Sequence, residues 1–306
     1  MPRDEARHFV MDVRLLEQQF HAYTLHVKGF ARDTLRRNRN ALQLFFKHSG
    51  VTDLGEVRSE MVRTWIFDGR TRRNWATATC RTYWKSVKVF FDWCVRSGHL
   101  ASNPAKGIEL PKVTYKIPKK LSKQDALRVL EIIANYPYAY QFLRVRNHAA
   151  FSTFVFAGLR KQELLKLKFA DVDLDNLCIF VRNGKGGKDR LVPMTHTLSE
   201  ILRGYLEERK KLGRTCPEFF TSRRFNMGMS DSALREIVED VRKASGIVFT
   251  VHTLRHTFAT LMLEGGCDIY SLSKMLGHTD IKTTTIYLAA SVEHLRSQMD
   301  KHPLNF

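Results

Sequence analysis

Residues 177–194 read Leu-Cys-Ile-Phe-Val-Arg-Asn-Gly-Lys-Gly-Gly-Lys-Asp-Arg-Leu-Val-Pro-Met, and this stretch separates the fold classes open to the chain. Leu177–Arg182 and Arg190–Met194 are short runs rich in β-branched and apolar residues. Asn183-Gly184-Lys185-Gly186-Gly187-Lys188 joins them, and two such runs around a glycine-rich turn predict a β-hairpin. Nothing else in the chain alternates strand with helix, and no segment repeats, so a doubly wound sheet and a solenoid are both excluded. The expected fold is mainly α with a small β-hairpin or sheet, an α+β arrangement. The turn has a superficial likeness to a phosphate loop. It lacks the G-x-x-x-x-G-K-[ST] spacing, since Asp189 follows Lys188, and it lies within a hairpin rather than before a helix. ATP binding is not expected.

Helical patterns flank the hairpin. Upstream, Leu121-Ser122-Lys123-Gln124 opens a helix with Ser122 as its N-cap, and a strongly apolar helix covers Val145–Ala157. Downstream the pattern stays helical, with breaks at Gly213, Gly246, Gly265-Gly266 and Gly277. Between Ser102 and Lys120 the sequence is SNPAKGIELPKVTYKIPKK, where Pro104, Pro111 and Pro118 interrupt any helix. The expected organisation is a helical domain over 1–105, a basic Pro-rich linker over 106–120 and a second domain over 121–306.

The first domain reads as all-helical. Val13, Leu16, Phe20 and Tyr23 fall on one helix face, and Leu35, Leu42 and Phe46 on another, opposite Arg36, Arg37 and Arg39. A third helix spans about Ser59 to Phe67. On a fourth, Tyr83, Val87, Phe90 and Cys94 form an apolar face, while Thr77, Arg81, Lys85 and Lys88 lie out of phase with it. Residues 1–105 hold 18 Lys+Arg against 10 Asp+Glu, and the whole chain of 306 residues carries +19. Positive charge on both domains predicts one polyanionic partner for both, most simply nucleic acid. Arg81, Lys85, Lys88, Arg223 and Arg224 are the contact candidates, chiefly for phosphates.

Composition excludes other classes. At 43% hydrophobic and 26% charged, the chain is neither collagen-like nor disordered. No apolar run approaches the ~20 residues of a membrane helix, so no membrane partner is expected. Met1-Pro2-Arg3-Asp4-Glu5 leads into mixed charge, with no secretory leader expected. The five cysteines, Cys80, Cys94, Cys178, Cys216 and Cys267, are scattered and odd in number, which fits a reducing cytoplasm rather than a disulfide framework.

Three segments stand out for chemistry: Gly158-Leu159-Arg160-Lys161-Gln162-Glu163-Leu164, then His252-Thr253-Leu254-Arg255-His256, then Leu276-Gly277-His278 with Tyr287 nine positions on. His252 and Arg255 are i, i+3 neighbours on a helix, and an arginine fork suits bidentate grip on a phosphate. His252 and His256 have the spacing of a zinc-protease helix, but Thr253 stands where that motif needs glutamate, so no metal is expected. No paired-carboxylate or G-x-S-x-G arrangement is present.

Taken together these segments resemble the tyrosine recombinases, the family of phage integrases and Xer-type site-specific recombinases. The family pattern is an arginine in G-L-R-x-x-E-L, a hairpin lysine in G-K-G, then H-x-L-R-H, L-G-H and a terminal tyrosine. Here Arg160, Lys185, His252 with Arg255, His278 and Tyr287 follow in that order. The sequence departs at Gln162, where the family often has serine or threonine, and at Phe169, where it often has tryptophan.

The resemblance implies a SAM-like helical core-binding domain followed by a catalytic domain, the two clasping duplex DNA at a specific recombination site. It implies Tyr287 as nucleophile, giving a 3′-phosphotyrosyl bond and a free 5′-hydroxyl. Arg160 and Arg255 would clamp the non-bridging oxygens, Lys185 would protonate the leaving oxygen, His252 would accept the tyrosine proton and His278 would donate to the phosphate. Neither cofactor nor metal is needed. Glu163 and Asp171 are expected to orient the arginine helix. Ser291–Met299 would form an amphipathic tail that docks into a neighbouring subunit of a homotetramer, with or without a partner recombinase; a frayed terminus is the other reading. Rival functions are a type IB topoisomerase-like enzyme and a catalytically idle DNA-binding protein on the same scaffold.

Overall fold

The computed structural model describes residues 11–112, 118–182, 188–278, 280–288, 291 and 296. The chain divides into two compact units, Met1–Tyr115 and Lys116–Phe306.

The first unit is built from α1 (Val13–His26), α2 (Arg32–Ser49), α3 (Ser59–Thr71) and α4 (Thr77–Arg96). Asp12 caps α1 by accepting from the Arg14 N–H, and Gly50 ends α2 in the left-handed conformation. Each helix turns its apolar stripe inward. Phe20 meets Phe90 edge-on at 5.4 Å between ring centroids, and Phe45 meets Trp65 in the same way at 5.4 Å. The expected face of α4 is buried at Val87, Phe90 and Cys94, while Tyr83 is only half-buried, packed on Trp75.

The stretch read as linker starts later than its prolines suggest. Ala105 and Ile108 are buried in this core, the Trp84 indole N–H donates to the Ala105 carbonyl, and Arg81 donates to the Pro111 carbonyl. Two apolar side chains and two carbonyl acceptors outweigh the missing periodicity and hold residues 105–111 along α4. Residues 113–117 lie outside the described residues.

The second unit is organised around α6 (Gln141–Ala157), which is buried almost all round, as a central helix must be. Packed on it are α5 (Lys123–Asn135), α8 (His196–Lys211) and α10 (Val251–Glu264). Ser122 caps α5 by accepting from the Asp125 N–H. The remaining helices are α7 (Lys161–Lys166), α9 (Asp231–Ser245), α11 (Ile269–Leu276) and α12 (Lys282–Thr285). The main core runs from Leu121 to Leu254, and a smaller one gathers Phe258, Ala259, Leu263, Leu272, Leu276 and Tyr287. On entering this unit the chain is tied to α10: the Leu121 N–H donates to Thr257 Oγ1, and Lys120 pairs with Glu264.

The sheet has three antiparallel strands in the order β1 (Val172–Asp173), β2 (Cys178–Val181) and β3 (Arg190–Pro193). The hairpin strands stand where the sequence pattern puts them, with Ile179 opposite Val192. The third strand, β1, has only two residues and no pattern to announce it. The turn over residues 183–187, Lys185 included, lies outside the described residues, as do most of the expected tail over 291–299. Among the described residues, no helix is long and apolar enough to cross a membrane.

Candidate active site

Helix α6 ends at Gly158, which adopts φ +60. A Cβ on this glycine would stand 2.2 Å from Cδ1 of Phe258, so both backbone and packing demand glycine. The left-handed turn redirects the chain into Arg160 and α7. Glu163, in the first turn of α7, reaches back to accept from the Arg160 N–H at 2.8 Å and from Arg160 Nη1 at 2.7 Å. The second amino group of Arg160 donates to the Gly277 carbonyl at 3.1 Å. Burial would raise the Glu163 carboxyl, but hydrogen bonds and charge from Arg190, with the Arg160 bonds, bring it down to about 2.

Helix α10 supplies the next group. Thr250 caps it by accepting from the Thr253 N–H. Arg255 is 4% exposed, with Nη1 donating one hydrogen to the Gly158 carbonyl at 2.5 Å and Nη2 one to the Leu276 carbonyl at 2.7 Å. Burial, reinforced by the nearby Arg160 charge, lowers its ionisation to about 9, so it stays a cation at neutral pH. His278 Nε2 lies 3.3 Å from Arg255 Nη2 and Nδ1 lies 2.8 Å from Thr284 Oγ1. Arginine offers donors only, so Nε2 accepts and Nδ1 carries the proton toward Thr284. A donation from Nε2 to a phosphate, as expected of His278, therefore requires the imidazolium or a changed tautomer.

Tyr287 follows α12 and is 2% exposed. Its ring lies nearly parallel to that of His278, 6.5 Å away at 13°. Burial raises the phenol above its ordinary value, and the charges of Arg255 and Arg160 oppose that rise. The hydroxyl is 3.0 Å from Nδ1 of His256. The phenol thus meets the histidine one helical turn along from His252, because the turn after α12 brings it to the i+4 position. His252 is exposed and stacks on His256 at 6.2 Å. Burial pushes the His256 imidazole down, and the His252 and Arg255 charges push the same way, so it is neutral and able to accept a proton.

The structure brings Arg160, Arg255, His278 and Tyr287 together from four segments, and adds His256 and Arg190. His256 stands directly after Arg255 in the sequence, where its spacing from His252 suggests only a zinc ligand. Asp171 is buried and takes an ion pair from Arg182 at 2.6 Å, at the end of β2. The DNA-contact candidates divide. Lys85 and Arg224 are exposed; Arg81 is exposed with one donor on Pro111; Arg223 lies over the Tyr140 ring at 3.6 Å. Lys88 is already paired with Asp92 at 2.7 Å. Among the described residues no group of three His, Cys, Asp or Glu side chains could hold a metal ion.

The model of the phage integrase family matches residues 119–294. A tyrosine recombinase XerC of Thermodesulfovibrio yellowstonii is 33% identical over 287 residues, covering 91% of this chain and 93% of its own. The XerC of Escherichia coli O157:H7 is 30% identical over 270 residues, 88% of each chain. Among solved structures, the XerH site-specific recombinase bound to a palindromic difH substrate matches with TM-score 0.72 at 20% identity, covering 93% of this chain and 84% of that one. The Tn1549 transposon integrase in complex with transposon right end DNA matches with TM-score 0.73 at 19% identity, covering 95% and 99%. At such identities the structural likeness speaks for the fold.

Proposed function

As a member of the phage integrase family, to which this chain belongs, the protein is a site-specific DNA recombinase, and we propose that it breaks and rejoins duplex DNA through Tyr287. The phenol oxygen attacks a backbone phosphorus, a P–O bond to tyrosine forms, and the P–O5′ bond breaks. His256 takes the phenol proton. Lys185, from the turn between β2 and β3, gives a proton to the departing 5′-oxygen. The covalent intermediate keeps the energy of the broken phosphodiester, so a 5′-hydroxyl from another strand can displace tyrosine without ATP. Arg160 and Arg255 meet the non-bridging oxygens, where charge develops in the transition state.

The observation that most supports this reading is the convergence on one phenol: His256 on the hydroxyl, His278 on the ring face, Arg255 bonded to His278. Because Tyr287 is 2% exposed, its segment must shift for the hydroxyl to reach a phosphate. Full exchange between two duplexes cuts four strands. With one nucleophile per chain, we propose four copies on the DNA, acting in the cytoplasm.

The test begins with a duplex selected from a random library by the Tyr287→Phe protein. Nicked near the protected centre, so that a cleaved end diffuses away, it should trap the wild-type chain as a covalent adduct. The Tyr287→Phe chain should bind it with unchanged affinity and form none. An adduct from Tyr287→Phe removes the nucleophile assignment.

A further inference from the structure

Arg190 begins β3, just past the turn that contains Lys185, and its side chain is 8% exposed. Its guanidinium makes a two-pronged pair with Glu163, Nη1 to Oε1 at 2.9 Å and Nη2 to Oε2 at 2.8 Å. Its Nε donates to the Met275 carbonyl at 2.7 Å, in the last turn of α11. Its stem is equally constrained, since a Cβ on Gly277 would stand 2.8 Å from Arg190 Cδ.

The same two Glu163 oxygens hold the Arg160 N–H and Nη1, and Arg160 in turn donates to Gly277. The contacts close a ring through Arg190, Glu163, Arg160 and the end of α11. On the other hairpin strand Arg182 pairs with Asp171, so both strands leaving the turn are fastened by an arginine to a carboxylate. A hairpin that only had to stay attached could use apolar residues of the same volume, because buried ion pairs add little net stability. What a planar fork supplies is a fixed angle.

We propose that Arg190 is a positioning residue for strand cleavage: through Glu163 it fixes the guanidinium of Arg160, and it ties the strand that follows Lys185 to the Gly277 turn. The proposal rests on Arg160 being a phosphate-binding group.

A double-mutant cycle in the full-length protein tests it, using single-turnover adduct formation on the nicked, library-selected duplex at saturating protein. Arg190→Met and Glu163→Gln should each slow cleavage, on the order of 100-fold for Arg190→Met, with DNA affinity changed less than about threefold. The double variant should be no slower than the slower single one, because the two residues act as one unit. Arg190→Lys, which keeps the charge and loses the fork, should fall between. Multiplied losses in the double variant, or a wild-type rate for Arg190→Met, overturn the proposal. Should Arg190→Met fail to fold, Arg190→Lys decides: slowed cleavage at an unchanged melting temperature supports the proposal, and a wild-type rate overturns it. Arg160→Ala is measured beside them. Wild-type cleavage by that variant removes the premise itself; a need for Arg160 with indifferent Arg190 variants removes only the role given to Arg190.

Discussion

Nδ1 of His256 lies 3.0 Å from the hydroxyl oxygen of Tyr287, joining the middle of α10 to the turn after α12. His256 has to be neutral to accept the phenol proton. Burial lowers its ionisation below the usual histidine value of about 6.5, so the acceptor survives as pH falls through that value and is lost only below it. The rate of adduct formation should therefore stay level down to about pH 6.5 and decline on the acid side. His256→Gln should slow cleavage on the order of 100-fold, with His252→Gln slowing it less. The opposite ranking returns the base to His252.

Glu163 carries a second pH signature. Its carboxyl is held at about 2 against an ordinary 4.5, so the folded state gains from its charge above pH 4.5 and loses that gain as pH falls from 4.5 toward 2. The shift corresponds to about 3 kcal/mol. Glu163→Gln should be less stable than wild type at pH 7 by roughly that amount, and the gap should narrow as pH drops below 4.5. Urea unfolding from pH 7 to 3 measures both curves; a constant gap discards the linkage.

Gly158→Ala meets two costs at once. The left-handed backbone disfavours any Cβ by about 1–2 kcal/mol, and this Cβ would also overlap the Phe258 ring. A loss of about 2 kcal/mol or more is expected in denaturant unfolding. Trimming the ring with Phe258→Leu in the same chain should recover the packing part alone. Full stability in the single variant contradicts the close approach.

Lys85 and Lys88 stand less than one turn apart on α4 and should behave differently. Lys85 is exposed, whereas Lys88 is neutralised by Asp92 at 2.7 Å. Lys85→Ala should reduce the slope of log affinity against log salt by about one for duplex DNA, and Lys88→Ala by much less. Equal changes would mean that Asp92 releases Lys88 to the DNA.

Several of these features were legible in the sequence. The hairpin strands follow from two β-rich runs around glycines, and Ser122 caps the helix that its position announces. Lys88, expected as a DNA contact, is paired with Asp92 one turn along α4, a pairing the basic stripe alone does not announce. Other features depend on contacts that the local pattern does not carry. β1 is two residues long, below any periodic signal. Arg190 meets Glu163 across 27 positions of chain, and nothing near Arg190 announces that carboxylate. His252 and His256 share a helix face; which of them meets the tyrosine is set by where the chain after α11 turns back. Ala105 and Ile108 hide among prolines that suggest a free segment, and only the α4 surface beside them provides the reason to fold there.

Gly158 and Gly277 both close helices in the left-handed conformation, and their carbonyls hold Arg255 and Arg160. Two residues without side chains thus aim the two guanidiniums proposed to grip the phosphate. A genetic selection for inactive alleles should return lesions at both glycines, in proteins that still bind DNA. Second-site suppressors should map to Phe258 for the first; for the second a new methyl group would strike Arg190, whose own replacement slows cleavage, so no suppressor should arise there.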